Sequence, residues 1–160
     1  MFDLSKVKVV FCDWDDTLAI HNKNEHWHDH DEYLKSGFCD SDEYYTETVR
    51  ARPNVAIHAL LSKLKTTNYV LTWCNYTFLL RARRKFLSMY YTDIDFSKIY
   101  VVASPDKKRQ LIEDFMKVFG YKKTQVLLIE DRLDTLESCW DVCLTAYVPE
   151  LYALYCAGEL

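Results

Sequence analysis

Residues 7–17 have the sequence VKVVFCDWDDT, an apolar run followed at once by a group of acidic residues. The apolar half is rich in β-branched and aromatic residues, which is typical of a buried strand. Asp13, Asp15 and Asp16 therefore follow the carboxyl end of a strand, where open α/β sheets form their ligand crevice. Crowded carboxylates raise one another's pKa. A hard cation such as Mg²⁺, which prefers oxygen ligands, would relieve that repulsion.

The length and composition predict one domain over residues 1–160 with an ordinary globular core. The chain is 49% apolar and 28% charged, which is typical of globular proteins. No apolar run approaches the ~20 residues that a membrane span needs. The N-terminus lacks the features of a secretory signal, and the six cysteines include no C-x-x-C pair. We therefore expect free thiols in a cytoplasmic protein, and the net charge of −4 disfavours extended phosphate-backbone binding.

Strand-like and helix-like segments alternate along the chain. Short strands are predicted at residues 7–12, 69–74, 99–103, 126–129 and 144–148. Helical spacing of apolar residues recurs at residues 55–64, 78–90 and 111–119. This alternation implies crossover connections and a parallel sheet. The expected fold class is α/β, a three-layer Rossmann-like parallel sheet.

Residues 19–52 interrupt this alternation. They are polar, charged and aromatic, with no clear period, so we expect a short irregular cap insertion after the first strand, covering or flanking the crevice. Pro53 follows, and because proline is tolerated at the first helical position, the helical pattern is predicted to restart there.

Two further segments could bind a phosphoryl group. An apolar strand ends in Thr72, whose hydroxyl could donate to a phosphate oxygen. Ser104 and Pro105 predict a helix start, which would put Lys107 and Lys108 near its first turn. Apolar residues follow Lys108 at +3, +4, +7 and +11, which favours Lys108 over Lys107 as the lysine that faces the sheet.

The strand predicted at residues 126–129 is followed by Glu130 and Asp131. In order and position, these segments resemble the motifs of the haloacid dehalogenase-like (HAD) superfamily of phosphotransferases and phosphatases, of the small-cap type. The resemblance covers nearly the whole chain. It implies that Asp13 is a nucleophile that forms an aspartyl-phosphate and that Asp15 is the general acid and base. An acid at residue 15 favours a phosphatase over relatives that cleave carbon–halogen bonds or pump ions.

The same resemblance implies the remaining roles. Thr72 and Lys108 would hold the phosphate oxygens. The ligands of Mg²⁺ would be Asp13, the backbone carbonyl of Asp15, and Asp131. Two further acids would support this metal site, namely Glu130, which departs from the more usual aspartate or glycine, and Asp134.

A small lid favours an open crevice, and hence a phosphate on a macromolecule. We expect a phosphoprotein, with phosphotyrosine as one option because aromatic residues in the insertion could pack on its ring. A small core of the insertion itself is the simpler interpretation of these aromatic residues. The alternative substrate is a polynucleotide 3′-phosphate, because Glu130-Asp131-Arg132 is similar to a motif of polynucleotide 3′-phosphatases. The basic run at residues 81–85 could bind such a strand, although a solvated helix face is the simpler interpretation.

A rival hypothesis concerns the histidines of the insertion. His26, His28 and His30 would share one face of a strand, and histidines clustered with aspartates can bind zinc. The chain would then be a zinc-binding module or a different hydrolase. An ordinary polar loop is the simpler interpretation of this segment.

Overall fold

The computed structural model describes residues 4–20, 51–73 and 79–160. The strands in these ranges are β1 (Val9–Cys12), β2 (Ala19–Ile20), β3 (Arg52–Pro53), β4 (Thr67–Trp73), β5 (Phe96–Val102), β6 (Val126–Glu130) and β7 (Leu144–Tyr147). The α-helices are α1 (Val55–Lys63), α2 (Leu79–Tyr90), α3 (Lys107–Phe119), α4 (Leu133–Cys139) and α5 (Val148–Cys156). None of these helices has the length and apolar character that crossing a bilayer requires.

Five strands form one parallel sheet in the order β5-β4-β1-β6-β7. The central strand β1 pairs with β4 on one side and β6 on the other, so that Phe11 lies between Tyr69 and Leu128. Because parallel strands need crossover connections, helices cover both faces of this sheet. The predicted three-layer α/β fold is confirmed.

Alternate residues of β1 belong to two different hydrophobic clusters. Val10 and Cys12 pack with side chains of α1, α2 and α5 on one face. Val9 and Phe11 pack with side chains of α3 and α4 on the other face. All four strand residues are therefore buried, as expected for a central parallel strand.

The ends of the predicted insertion meet in a small antiparallel ribbon. In this ribbon Ala19 pairs with Pro53 and Ile20 pairs with Arg52. The prediction that Pro53 begins a helix is wrong, because Pro53 lies in β3, where a short edge strand tolerates proline. Helix α1 begins two residues later, at Val55, after Asn54 caps its N-terminus through Oδ1. Residues 21–50 lie outside the described part of the chain.

Helix α3 also begins later than predicted. Ser104 and Pro105 form a tight turn before the helix, in which their carbonyl oxygens accept hydrogen bonds from the N–H groups of Lys107 and Lys108 at 3.1 Å each. Lys107 is the first helical residue. The short helices α4 and α5 were not predicted, because neither shows a long apolar period in the sequence.

The hydroxyl of Tyr91 connects the ribbon to the core. It donates to the carbonyl oxygen of Leu18 at 2.8 Å and accepts from the N–H of Asn54 at 3.1 Å. Tyr91 is 1% exposed, and burial is the main reason why its pKa is raised. The two ends of the insertion are therefore attached to the residue that follows α2.

We predict that Tyr91→Phe lowers the free energy of unfolding by about 0.5–1.5 kcal/mol, because it removes the hydroxyl's hydrogen bonds and leaves the N–H of Asn54 and the carbonyl of Leu18 with only their mutual 3.2 Å bond. Chemical denaturation monitored by circular dichroism measures this change. Tyr152→Phe, at a side chain that is 49% exposed, is the matched control. Equal stability of both variants would show that the Tyr91 hydroxyl does not stabilise the ribbon.

Candidate active site

A compact turn follows β1 and fixes the backbone at the carboxyl edge of the sheet, where the parallel strands end. The N–H of Asp13 donates to the carbonyl of Ile129 at 3.0 Å, which extends the ladder by one residue. The carbonyl of Trp14 then accepts from the N–H groups of Leu18 and Ala19 at 3.1 and 3.0 Å. Asp16 takes a left-handed conformation with φ of 53°, which aspartate tolerates better than most residues. The acidic residues therefore lie in a turn of defined shape.

Lys108 joins two strands at this edge. Its Nζ donates to Oδ1 of Asp13 and to Oε2 of Glu130, each at 2.6 Å. The side chains are 4%, 10% and 0% exposed respectively, so the three groups form a buried cluster. Lys107 instead has a side chain that is 62% exposed and lies beside Asp106. The structure thus brings Lys108 into the site and leaves Lys107 at the surface.

The single positive charge of Lys108 is shared by two carboxylates. Burial and the charge of Asp13 raise the pKa of Glu130 to about 8, although Lys108 opposes this rise. Burial likewise raises the pKa of Asp13 to about 6. Burial lowers the pKa of Lys108, but the two carboxylates outweigh this effect and raise it overall. Lys108 is therefore charged, and ionising both acids at once is costly.

Three carboxylates at this edge could hold a metal ion. One oxygen each from Asp13, Glu130 and Asp131 lies within 4.8 Å of the others. Carboxylate oxygens suit a hard cation such as Mg²⁺, which usually binds one or two carboxylates and keeps several waters. A cation would also lower the pKa of Glu130, which burial and the charge of Asp13 raise. The donor set therefore fits a magnesium ion, with Glu130 close enough to contribute.

Asp134 lies apart from these carboxylates, and its contacts do not match the supporting role expected from the sequence. Its Oδ2 accepts from Arg132 at 2.6 Å, and its side chain is 67% exposed. Its Oδ1 accepts from the N–H of Thr135 at 2.9 Å. Asp134 therefore acts at the start of α4, where acidic residues favour helix formation.

Thr72 lies at the carboxyl end of β4 and contacts a residue that the sequence analysis missed. Its Oγ1 accepts from Nη1 of Arg83 at 2.6 Å, and Nη2 of Arg83 lies 3.3 Å from Oδ2 of Asp15. Arg83 is 5% exposed, so the interpretation of residues 81–85 as a solvated helix face is wrong at this position. The spacing that identified Lys108 could have found it, because apolar Phe86 and Leu87 follow Arg83 at +3 and +4.

The described site thus has four carboxylates and two cations. The acids are Asp13, Asp15, Glu130 and Asp131, and the cations are Lys108 and Arg83. With all four acids ionised their formal charge is minus two, the charge that one divalent cation would balance. The histidines at residues 26, 28 and 30, and with them the zinc hypothesis, lie outside the described residues, as do residues 74–78.

Known proteins resemble this chain in structure but not detectably in sequence. No protein-family model and no curated protein matches it. A chain of the Pnkp1/Rnl/Hen1 RNA repair complex superposes with a TM-score of 0.56 at 17% identity, over 92% of this chain and 44% of that one. The present chain therefore spans less than half of that relative.

Two bacterial proteins match over most of their own length. One is a HAD family enzyme from Bacteroides thetaiotaomicron in complex with magnesium and inorganic phosphate, with a TM-score of 0.52, 13% identity and coverage of 88% of this chain and 93% of that one. The other is a haloacid dehalogenase-like hydrolase from Xanthomonas campestris, with a TM-score of 0.53, 12% identity and coverage of 89% and 81%. The chain has the HAD-like fold, as its sequence motifs predicted.

We predict that metal-free protein loses stability as the pH rises from about 4.5 towards 8, because Glu130 binds its proton more tightly when folded than when unfolded. The stabilisation is complete below the unfolded pKa and is lost as the pH passes the folded pKa. Glu130→Gln should weaken this pH dependence by a few kcal/mol over that range. Chemical denaturation at each pH, in a chelating buffer, measures it.

Asp134→Asn is the matched control. The contact with Arg132 lowers the pKa of Asp134, so this exposed acid is ionised throughout the range, and its variant should keep the wild-type slope. Identical slopes for wild type and Glu130→Gln would contradict the burial of an acid that is costly to ionise at residue 130.

Proposed function

We propose that this protein is a Mg²⁺-dependent phosphatase that hydrolyses phosphate monoesters through an aspartyl-phosphate on Asp13. The observation that carries this proposal is the contact of Lys108 with both Asp13 and Glu130, beside Asp131. A carboxylate nucleophile, a buried cation and metal-binding acids thus converge at the carboxyl edge of a HAD-like sheet. Thr72 and Asp15 lie at the same edge and are joined through Arg83.

Each residue of the site has a separate role in the two steps of the proposed reaction. An oxygen of Asp13 attacks phosphorus as the bond to the leaving oxygen breaks, and Asp15 gives that oxygen its proton. A water then attacks the phosphorus of the aspartyl-phosphate while Asp15 takes a proton from it, which releases inorganic phosphate and restores Asp13. Thr72 and Lys108 donate to the non-bridging oxygens.

Asp13, Asp131 and the backbone carbonyl of Asp15 would hold Mg²⁺, with Glu130 near enough to assist. The ion would offset the repulsion between the attacking carboxylate and the phosphate. Lys108 alone cannot do so, because Glu130 already shares its charge.

We predict that wild-type protein hydrolyses p-nitrophenyl phosphate only with added Mg²⁺, and that Asp13→Asn lowers kcat by at least about 1000-fold while retaining the fold. Phosphate release with and without chelator measures activity, and circular dichroism reports folding. Asp134→Asn is the matched control for loss of a carboxylate and should keep activity. Turnover by folded Asp13→Asn would contradict the assigned nucleophile.

Two features favour a macromolecular substrate. The side chain of Asp15 is 50% exposed, so the described residues leave the leaving-group side of the site open to solvent. The predicted insertion, residues 19–52, is short. A phosphoprotein, with phosphotyrosine as one option, suits the net charge of −4 better than a polyanionic strand.

A polynucleotide 3′-phosphate is the second candidate substrate, favoured by the likeness to a chain of an RNA repair complex. Exposed Arg81, Arg84 and Lys85 on α2 could contact a phosphate backbone. These two candidates differ in their dependence on salt, because backbone contacts release counterions.

We predict a higher kcat/KM for phosphotyrosine peptides than for 3′-phosphorylated oligonucleotides, with little change between low and high salt. Phosphate release from both substrates at matched concentrations measures this preference. A preference for the oligonucleotide that falls steeply with salt, and falls again in Arg84→Gln, would establish the second candidate instead.

A further inference from the structure

Arg83 is buried although it belongs to the basic run of α2. It is 5% exposed, whereas its neighbours Arg84 and Lys85 are exposed. An arginine keeps its charge in proteins, and burial of a charge is costly unless partners satisfy it. The contacts of Arg83 therefore explain how its buried charge is stabilised.

The guanidinium of Arg83 connects two strand ends. Nη1 donates to Oγ1 of Thr72, at the end of β4, at 2.6 Å. Nη2 lies 3.3 Å from Oδ2 of Asp15, in the turn after β1. Because the guanidinium is a rigid planar fork, these contacts fix the position of Asp15 relative to Thr72.

The guanidinium of Arg83 lies over the ring of Trp14. The Cζ of Arg83 lies 5.2 Å from the centroid of the Trp14 ring, within the range of a cation–π contact. Trp14 is 1% exposed and packs edge-on against Phe86 at 5.3 Å. Phe86 lies one helical turn after Arg83, so the same helix supports both the guanidinium and the ring beneath it.

The side chain of Asp15 is half exposed, so its contacts with neighbouring side chains decide its orientation. An exposed side chain samples several rotamers, whereas proton transfer requires one geometry at the leaving oxygen. The 3.3 Å contact is longer than the 2.7–2.9 Å of a strong charge-assisted bond. Arg83 thus orients the carboxyl group through an ion pair that is longer than a strong charge-assisted bond.

We propose that Arg83 is a positioning residue that holds Asp15 at the leaving oxygen. Through this position it determines whether the enzyme can hydrolyse phosphate esters of weakly acidic alcohols. This inference rests on the proposed phosphatase function. In the first step the Asp13 oxygen bonds to phosphorus, the bond from phosphorus to the ester oxygen breaks, and the proton of Asp15 moves to that oxygen. A strongly acidic phenol leaves without this proton, and a weakly acidic one does not.

The test compares Arg83→Met with wild type on aryl phosphates ranging from p-nitrophenyl phosphate to phenyl phosphate. The kcat/KM reports the steps up to departure of the leaving group. On phenyl phosphate, whose phenol resembles tyrosine with a pKa of about 10, we expect a loss of about 100-fold. On p-nitrophenyl phosphate we expect a loss under about 10-fold. Lys117→Met removes a positive charge from an exposed position of α3 and should match wild type.

A double-variant comparison separates positioning from a structural role. Asp15→Asn should reproduce the steep dependence on the leaving group. Because Arg83 acts through Asp15, adding Arg83→Met to that variant should not steepen it further. Arg83→Lys keeps the charge but lacks the fork that reaches both partners, so it should behave as Arg83→Met does.

A uniform loss across the series in folded Arg83→Met would overturn the inference, and so would a further steepening in the double variant. If circular dichroism shows that Arg83→Met does not fold, Arg83→Lys provides the same comparison. Failure of the proposed function gives a different result: wild type with Mg²⁺ would not cleave p-nitrophenyl phosphate, or Asp13→Asn would still cleave it.

Discussion

The buried ammonium group of Lys108 is the interaction on which the site depends. Its two 2.6 Å contacts connect Asp13 after β1 to Glu130 at the end of β6. Without this cation two carboxylates would face each other away from water, and an uncompensated buried charge costs several kcal/mol. The cation is nevertheless insufficient, because one positive charge serves two acids. Burial and the charge of Asp13 still raise the pKa of Glu130, and a divalent cation bound by the three neighbouring carboxylates would favour its ionised form.

A second cation approaches the same edge from the other face of the sheet. Lys108 comes from α3, which packs on the cluster that contains Phe11, whereas Arg83 comes from α2, which packs on the cluster that contains Val10. Each is a basic residue on the buried side of a helix near the carboxyl ends of the strands. Lys108 compensates the charge of the proposed nucleophile, and Arg83 contacts the proposed acid and Thr72, the proposed phosphate-binding residue. Each of the two helices thus contributes one positive charge to the site.

Much of the fold could be predicted from local composition, and the errors fall at element ends. The β1 strand was predicted because four consecutive residues buried on both faces must be apolar. The starts of α1 and α3 were placed too early, at Pro53 and Ser104, because a proline or a serine is compatible with either a turn or a first helical residue. Pro53 is in a strand because it pairs with β2, and Ser104 is in a turn because its carbonyl accepts from the N–H of Lys107.

The sequence by itself determined the sheet, the order of its motifs and the candidate acids at the strand ends, because strand composition and helical spacing are local properties. It also singled out Lys108, whose apolar neighbours on α3 fix the direction of its side chain. Only the tertiary structure showed that Glu130 shares this lysine, that Asp134 faces solvent beside Arg132, and that Arg83 reaches Asp15. Those contacts join residues from different elements, and their distances depend on how the helices pack across the two faces of the sheet.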